Sequence, residues 1–371
     1  ATVEALIARL QRVLVAMTAD PARLVSSVDV LDASEYGWLE KVGHRGVLTE
    51  TVTPVSIPEV FAAQVLCAPE AVAVRFAGES WTYRELDEAS NRLAHLLIDH
   101  GARPGQRVAL LFPRSAQAIV AILAVLKSGA AYVPIDPVVP DARIEFVVAD
   151  AAPTIGITTA GLRPRLDQHE LVVIDLDDPR IDTQPSTPLP APAGDGIAYL
   201  IYTSGTTGVP KGVAITHHNV TRLLEALDAG LPRPGVWPLC HSLAFDWSVG
   251  EIWGALLHGG RLVVVPDEVV ASPEDFHALL VAEQVSGFNQ SPSAVGMLSP
   301  EGLESTALVI GESLIDIVSR PDQTPVEHPG GSPMNVAIGL ARLGRRVELA
   351  TWYGSDEHGR LIDDHLAADG V

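Results

Sequence analysis

Between Ile57 and about Thr158, helical and strand patterns alternate, and no other feature narrows the possible folds as far. The spacing predicts a helix over Tyr83 to Gly101 before a strand over Arg107 to Leu111, and a helix over Ser115 to Leu126 before Ala131 to Asp136. A helix over Asp141 to Ala149 then precedes a strand over Thr154 to Thr158. The rhythm predicts helices packed on a largely parallel sheet, an α/β fold. With 371 residues, 47% of them apolar, the chain has material for more than one core.

A further apolar strand, Ile197 to Tyr202, runs into Thr203-Ser204-Gly205-Thr206-Thr207-Gly208-Val209-Pro210-Lys211-Gly212. Glycines let the backbone approach an anion, hydroxyls donate to it, and Lys211 supplies a charge, so the segment predicts a loop that holds a polyphosphate. Pro210 before the lysine and the absence of Ser or Thr after it depart from the common P-loop, and the glycine spacing departs from the dinucleotide fingerprint.

The eleven residues from Tyr202 to Gly212 resemble the signature loop of adenylate-forming enzymes, specifically the amino-acid adenylation domains of nonribosomal peptide synthetases. Trp81 to Leu86, Leu126 to Asp136, His241 to Ser248 and Asn289 to Ser293 resemble further core motifs of these domains, in the expected order. The resemblance implies a site where a substrate carboxylate attacks the α-phosphorus of ATP, with Mg2+ neutralising part of the phosphate charge. Thr203, Ser204, Gly205, Thr206, Thr207, Gly208 and Lys211 would cradle the nucleotide phosphates, with Lys211 and Thr206 as catalytic candidates. Asp246 would pair with the substrate α-ammonium, as a buried carboxylate needing a charged partner, while Trp247, Gly250 and Asn289 would line the side-chain pocket. Its competing reading is a helix N-cap, because Trp247 to Trp253 reads as a helix. His241 reads as a hydrogen-bonded histidine outside the site. In a parent synthetase the partners would be an amino acid and a carrier protein with a phosphopantetheine arm.

The amphipathic pattern of Val3, Leu6, Ile7, Leu10, Val13, Leu14 and Met17 predicts a helix ending before Pro21. With Val28 to Asp32 it resembles the tail of a condensation domain, which assigns residues 1–45 to that tail and 46–298 to the adenylation part. The first residue is not methionine, which reads as a processed or excised piece.

After Leu298 the expected second nucleotide motif, ribose-binding Asp, hinge and catalytic lysine do not follow, so the resemblance implies a chain that does not complete adenylation alone. Residues 299–306 read as a junction. Ala307 to Val318 reads as an apolar strand ending in a polar turn with an acid at its tip, and His328 to Gly344 as a glycine turn opening a helix capped by Gly344. With Val347 to Trp352 and Gly354 to Gly359, residues 307–371 resemble the start of a ribokinase/fructokinase-family carbohydrate kinase. That resemblance implies sugar contacts at Asp316, Gly330, Gly331 and Asn335, whose plainer readings are a strand-end turn for Asp316 and a helix cap for Asn335. The fold expected is thus an incomplete adenylate-forming subdomain, helices on mostly parallel sheets, followed by an incomplete ribokinase-like α/β segment. Alternatives of function are a carbohydrate-kinase fragment and an inactive nucleotide-binding chimera.

Other motifs fail on spacing. Gly311-Glu312-Ser313-Leu314-Ile315 lacks the final glycine of a nucleophile elbow. Asp356-Glu357-His358 and Asp363-Asp364-His365 read as a solvated acidic face, and Cys67 and Cys240 lie too far apart to suggest a zinc site. A net charge of −21 disfavours nucleic-acid binding. The longest uncharged stretch is too short for a membrane span of about 20 residues, and two distant cysteines suit a reducing cytoplasm.

Overall fold

The computed structural model describes residues 53–203, 210–226 and 234–290 without interruption, with 3–20 and shorter stretches before residue 40 and after residue 293. Contacts divide the chain into residues 1–53 and 54–371. The first unit holds helix α1 (Val3–Ala19). Arg9 and Arg12 bind Glu35, and Arg12 also binds Asp32, while Leu6, Ile7, Leu10 and Leu14 lie exposed along the helix.

The second unit begins with α2 (Ile57–Cys67), β1 (Val72–Phe76) and β2 (Glu79–Thr82), followed by α3 (Tyr83–Asp99). Thr82 starts α3 through a reciprocal capping box with Glu85, which satisfies two of the first-turn donors. Next come β3 (Arg107–Leu111), α4 (Ala116–Lys127), β4 (Ala131–Ile135), α5 (Asp141–Ala151), β5 (Ile155–Thr158) and β6 (Val172–Asp175). After a connection through the Pro- and Asp-rich stretch 177–196, β7 (Ile197–Thr203) and β8 (Lys211–Thr216) pair with one another. These six strands form one sheet in the order β6-β5-β3-β4-β7-β8, all parallel except β8.

A second sheet was not legible in the helix–strand rhythm. Helix α6 (His217–Ala226) leads to β9 (Val236–Leu239), α7 (Trp247–Leu256), β10 (Arg261–Val264), α8 (Asp267–Val270) and α9 (Pro273–Ala282). Strands β9 and β10 join β1 and β2 in the order β2-β1-β10-β9, so the sheet sets Val74 opposite Leu262, far apart in sequence.

Helix α4 touches β3 and β4 of the larger sheet and β1 of the smaller. Because both sides face apolar layers, almost every residue of α4 is buried, and the sequence shows a continuous apolar run instead of a stripe. Strands β3 and β4 are covered on both faces. Val108, Leu110 and Tyr132 enter the core shared with α4, while Ala109, Leu111, Val133 and Ile135 meet Ile144, Val147 and Val148 of α5. Two-sided burial is why these strands are uniformly apolar.

Lys127, in the last turn of α4, is buried yet fully engaged. Its ammonium donates to Asp87 Oδ1 and Ser90 Oγ at 2.7 Å and to Asn91 Oδ1 at 2.8 Å. Burial lowers its pKa to about 8 against the opposing pull of the Asp87 carboxylate.

Near the C-terminus, β11 (Ala307–Ile310) pairs in parallel with β14 (Val347–Ala350), and β12 (Leu314–Val318) pairs antiparallel with β13 (Val326–Gly330). Helix α10 (Glu357–Ala368) follows, with Ile362 and Leu366 buried beside Ile338. Two expectations change here. The segment Ala307 to Val318, expected as one strand ending in a polar turn with an acid at its tip, holds two separate strands with Asp316 paired inside the second, and His328, Pro329 and Gly330 belong to β13 instead of forming a turn. Pairing across to β12 supplies the backbone partners that local glycine preference did not anticipate.

Candidate functional site

The larger sheet reverses its direction of winding beside β3 and β4. Strand β3 reaches β4 through α4, and β4 reaches β5, on the other side of β3, through α5. Loops leaving the carboxyl ends of these strands therefore diverge and open a crevice, the usual place for a ligand in such a sheet. Asp136, just past the end of β4, accepts a hydrogen bond from Ser242 Oγ, just past the end of β9. The carboxyl ends of the two sheets are thus tied together at this edge.

Strand β7 delivers the glycine- and hydroxyl-rich segment to the same edge. Its last residue, Thr203, is the direct cross-strand partner of Lys211, the first residue of β8. Strands β7 and β8 thus pair as a hairpin, with the candidate lysine fixed at the first position of β8 and exposed. Ser204, Gly205, Thr206, Thr207 and Gly208 lie outside the described residues. The hairpin base is held from behind by Tyr202. Its hydroxyl donates to Asp150 Oδ2 at 2.6 Å, its ring meets Phe146 edge-on, and the guanidinium of Arg143 lies 5.9 Å from its centre. Gly212 leaves room for that ring, since a Cβ there would come within 3.1 Å of it.

Three of the four substrate candidates lie at the start of α7. Asp246 precedes the helix, and helical spacing sets Gly250, four residues on, on the same face as Asp246, with Trp247 three residues before Gly250. The backbone of Asp246 is already helical and its side chain accepts no capping hydrogen bond, so the N-cap reading fails. Nor is Asp246 buried, as expected from sequence: it lies exposed at the turn entering α7. Its charge acts on Tyr199 of β7, whose pKa is pushed up to about 12, first by burial and then by the Asp246 carboxylate. A Cβ on Gly250 would meet nothing within 4 Å, so open space adjoins the helix there. Asn289 is half-buried, and its carbonyl oxygen lies 3.8 Å from Cys240 Sγ, which places it beside the end of β9. The site therefore gathers β7, β8, β9 and α7, elements that local patterning leaves unconnected.

Sequence reasoning passed over one group. Glu251, one residue beyond Gly250, is 1% exposed. Its Oε1 lies 2.7 Å from His241 Nδ1 and 3.1 Å from the Cys240 sulfur, and its Oε2 accepts the His241 backbone N–H at 3.3 Å. One ligand atom of each of these three side chains lies within 4.8 Å of the others, yet the two shortest separations are hydrogen-bond lengths. Burial, with a further contribution from Glu251, pushes the Cys240 thiol well up. The sequence signal was an acid inside the apolar helix Trp247 to Trp253.

Of the carbohydrate candidates, Asp316 lies on β12 opposite His328, and Gly330 lies on β13 opposite Leu314. Gly331 and Asn335 fall outside the described residues. No helix among the described residues is long and apolar enough to cross a membrane.

A family model described as AMP-binding enzyme matches residues 61–359. The chain is 58% identical over 382 residues to an isonitrile lipopeptide synthase of Mycobacterium tuberculosis, covering 99% of this chain and 15% of that protein. It is 43% identical over 312 residues to a dimodular nonribosomal peptide synthase of Bacillus subtilis, covering 79% of this chain and 13% of the relative. Among solved structures, the nonribosomal peptide synthetase FmoA3 in its α-methyl-L-serine-AMP bound form superposes with a TM-score of 0.72 at 25% identity, over 95% of this chain and 39% of that one. The chain thus spans a minor part of each of these relatives. The family match crosses Asp316 and Gly330 and continues to residue 359, and none of these comparisons supports a separate carbohydrate-kinase segment.

Proposed function

We propose, from the premise that this chain belongs to the AMP-binding enzyme family, that it carries the phosphate hairpin and amino-acid pocket of an adenylating ligase in nonribosomal peptide synthesis. The reaction joins an amino-acid carboxylate oxygen to the α-phosphorus of ATP while the bond from that phosphorus to the bridging oxygen breaks, releasing pyrophosphate. The observation that carries the reading is the register of Thr203 against Lys211 at the carboxyl edge of the sheet. It closes a glycine- and hydroxyl-rich loop with a cation at its base, a device suited to charge that moves onto pyrophosphate.

In this reading Thr203 to Gly208 and Lys211 hold the outer phosphates. Mg2+ would accompany them and shield their charge, and the oxygen donors of Thr203, Ser204, Thr206 and Thr207 suit that hard ion. The exposed Asp246 carboxylate is available to a substrate ammonium, and Trp247, Gly250 and Asn289 border the space for its side chain. A solved relative is recorded in an α-methyl-L-serine-AMP bound form, which supports reading an amino acid as the substrate. A carrier protein bearing a phosphopantetheine arm would take the product within a larger synthetase.

We place the end of a preceding condensation domain at 1–45 and the adenylation part at 46–298, with the AMP-binding match running on past that bound to residue 359. The sugar-kinase reading of 307–371 rests on the order of its motifs, and a titration with ribose or fructose that gives no heat removes it. The central test is calorimetry with ATP and Mg2+ on the chain and its Lys211→Ala variant. We expect saturable binding that weakens about tenfold or more when the charge–phosphate contact is lost. Equal affinity in both proteins would refute the hairpin's role.

A further inference from the structure

We infer that Glu251 is a positioning residue for amino-acid recognition, acting through His241 on the turn that carries Asp246. The inference rests on the reading of Asp246 as the partner of the substrate ammonium.

The turn from Cys240 to Asp246 joins the carboxyl end of β9 to the first turn of α7, and it is fixed at its start, middle and end. At its start, the Glu251 carboxyl group takes three donors: the Cys240 thiol, the His241 main-chain N–H and the His241 ring in its Nδ1–H tautomer. At its middle, Ser242 Oγ donates to Asp136 and accepts from the Ala244 N–H. At its end, the Phe245 N–H donates to the Ser242 carbonyl, and Ser248 Oγ donates back to the Phe245 carbonyl at 2.7 Å. The His241 ring also packs on the Phe245 ring, with centroids 5.3 Å apart and planes 31° from parallel. A continuous path therefore runs from the Glu251 carboxyl group through the imidazole to the residue that precedes Asp246.

Burial decides that this is a device and not an incidental contact. A carboxyl group 1% exposed on an apolar helix is costly to place unless its oxygens are satisfied, and here each oxygen has a partner. Leucine would fill a core position on α7 at less cost. What glutamate adds is a directional tie between helix and turn, fixing one face of α7 against the carboxyl end of β9. Glu251 lies on the buried side of the same short helix whose first turn follows Asp246 and whose next residue back is Gly250, so the tie fixes the helix that carries both. A shift of the turn would move the ammonium partner relative to the open space beside Gly250, changing amino-acid affinity while leaving the phosphate hairpin on β7 and β8 untouched.

The test compares Glu251→Leu, His241→Ala and Glu251→Gln with the parent chain. Each is titrated calorimetrically with ATP and Mg2+, and then, in the presence of nucleotide, with each of the twenty common amino acids. We expect the first two variants to lose about tenfold or more in affinity for the amino acid that the parent binds, with ATP affinity within about twofold. Glu251→Gln should be rescued to within about threefold, because an amide accepts the main-chain N–H through its oxygen and donates to the other imidazole tautomer. Parent-like amino-acid affinity in Glu251→Leu, or parallel loss of both ligands, would overturn the inference. Amide hydrogen exchange supplies a ligand-free arm: residues 241–248 should exchange faster in Glu251→Leu while β3 and β4 stay protected. Unchanged protection across 241–248 would equally overturn it. If the parent binds neither ligand, the proposed function fails, and the exchange result still decides whether Glu251 fixes the turn.

Discussion

His217 gives this fold a pH dependence that can be worked from the structure. It opens α6, is 1% exposed, and neither ring nitrogen has a hydrogen-bond partner. It is held there by its backbone, which donates to the Gly196 carbonyl at 3.0 Å. Burial without a partner lowers its pKa from 6.5 to about 4, so the folded state keeps the ring neutral where the unfolded chain protonates it. The unfolded state then binds more protons between these values, and stability rises with pH across that window. The contribution is complete above the unfolded pKa and is lost as pH falls toward about 4. Linkage across this separation gives a loss of about 2 kcal/mol between pH 7 and pH 5, rising toward about 3 kcal/mol below the folded pKa. Urea unfolding followed by circular dichroism at intervals from pH 7 to pH 5 measures it, in the parent and in His217→Leu. Leucine removes both orphaned nitrogens and the titration, so the parent-minus-variant difference should shift by about 2 kcal/mol over this range. Parallel curves for the two proteins would refute the reasoning.

Other consequences follow from neighbouring geometry. Lys127→Ala leaves Asp87, Ser90 and Asn91 facing a void, and should lower stability by about 3 kcal/mol in thermal unfolding, far more than loss of an exposed ion pair. Gly212→Ala drives a methyl toward the Tyr202 ring, which Asp150 prevents from yielding. Stability should fall by about 1 kcal/mol and ATP affinity should weaken by calorimetry. Gly250→Ile enters open space, so unfolding should shift by no more than about 1 kcal/mol, while amino-acid binding is lost or redirected to smaller side chains.

The individual elements around the site were legible because their signals are local. Arg107 to Leu111 forms the expected strand, and the helices starting near Tyr83, Ser115 and Asp141 begin within a residue of their expected positions. Capping side chains at Thr82 and Ser115 act within three residues, so sequence suffices to place them. Lys211 was recognisable beside the loop for the same reason. Its role at the hairpin base was not, because β8 was not anticipated as a strand.

Sequence by itself therefore determined the alternation of helices and strands, the apolar helix buried on all sides, and the residue types offered to phosphate and amino acid. Tertiary structure decided that β3 lies inside the sheet, that β4 and β7 are neighbours, and that Thr203 stands opposite Lys211. It also decided that Asp246 is exposed while Glu251, five residues on, is buried against His241. The physical reason is range. Periodicity and capping are set by contacts a few residues apart, whereas strand order and the burial of a single carboxyl group depend on surfaces that meet only after distant segments pack.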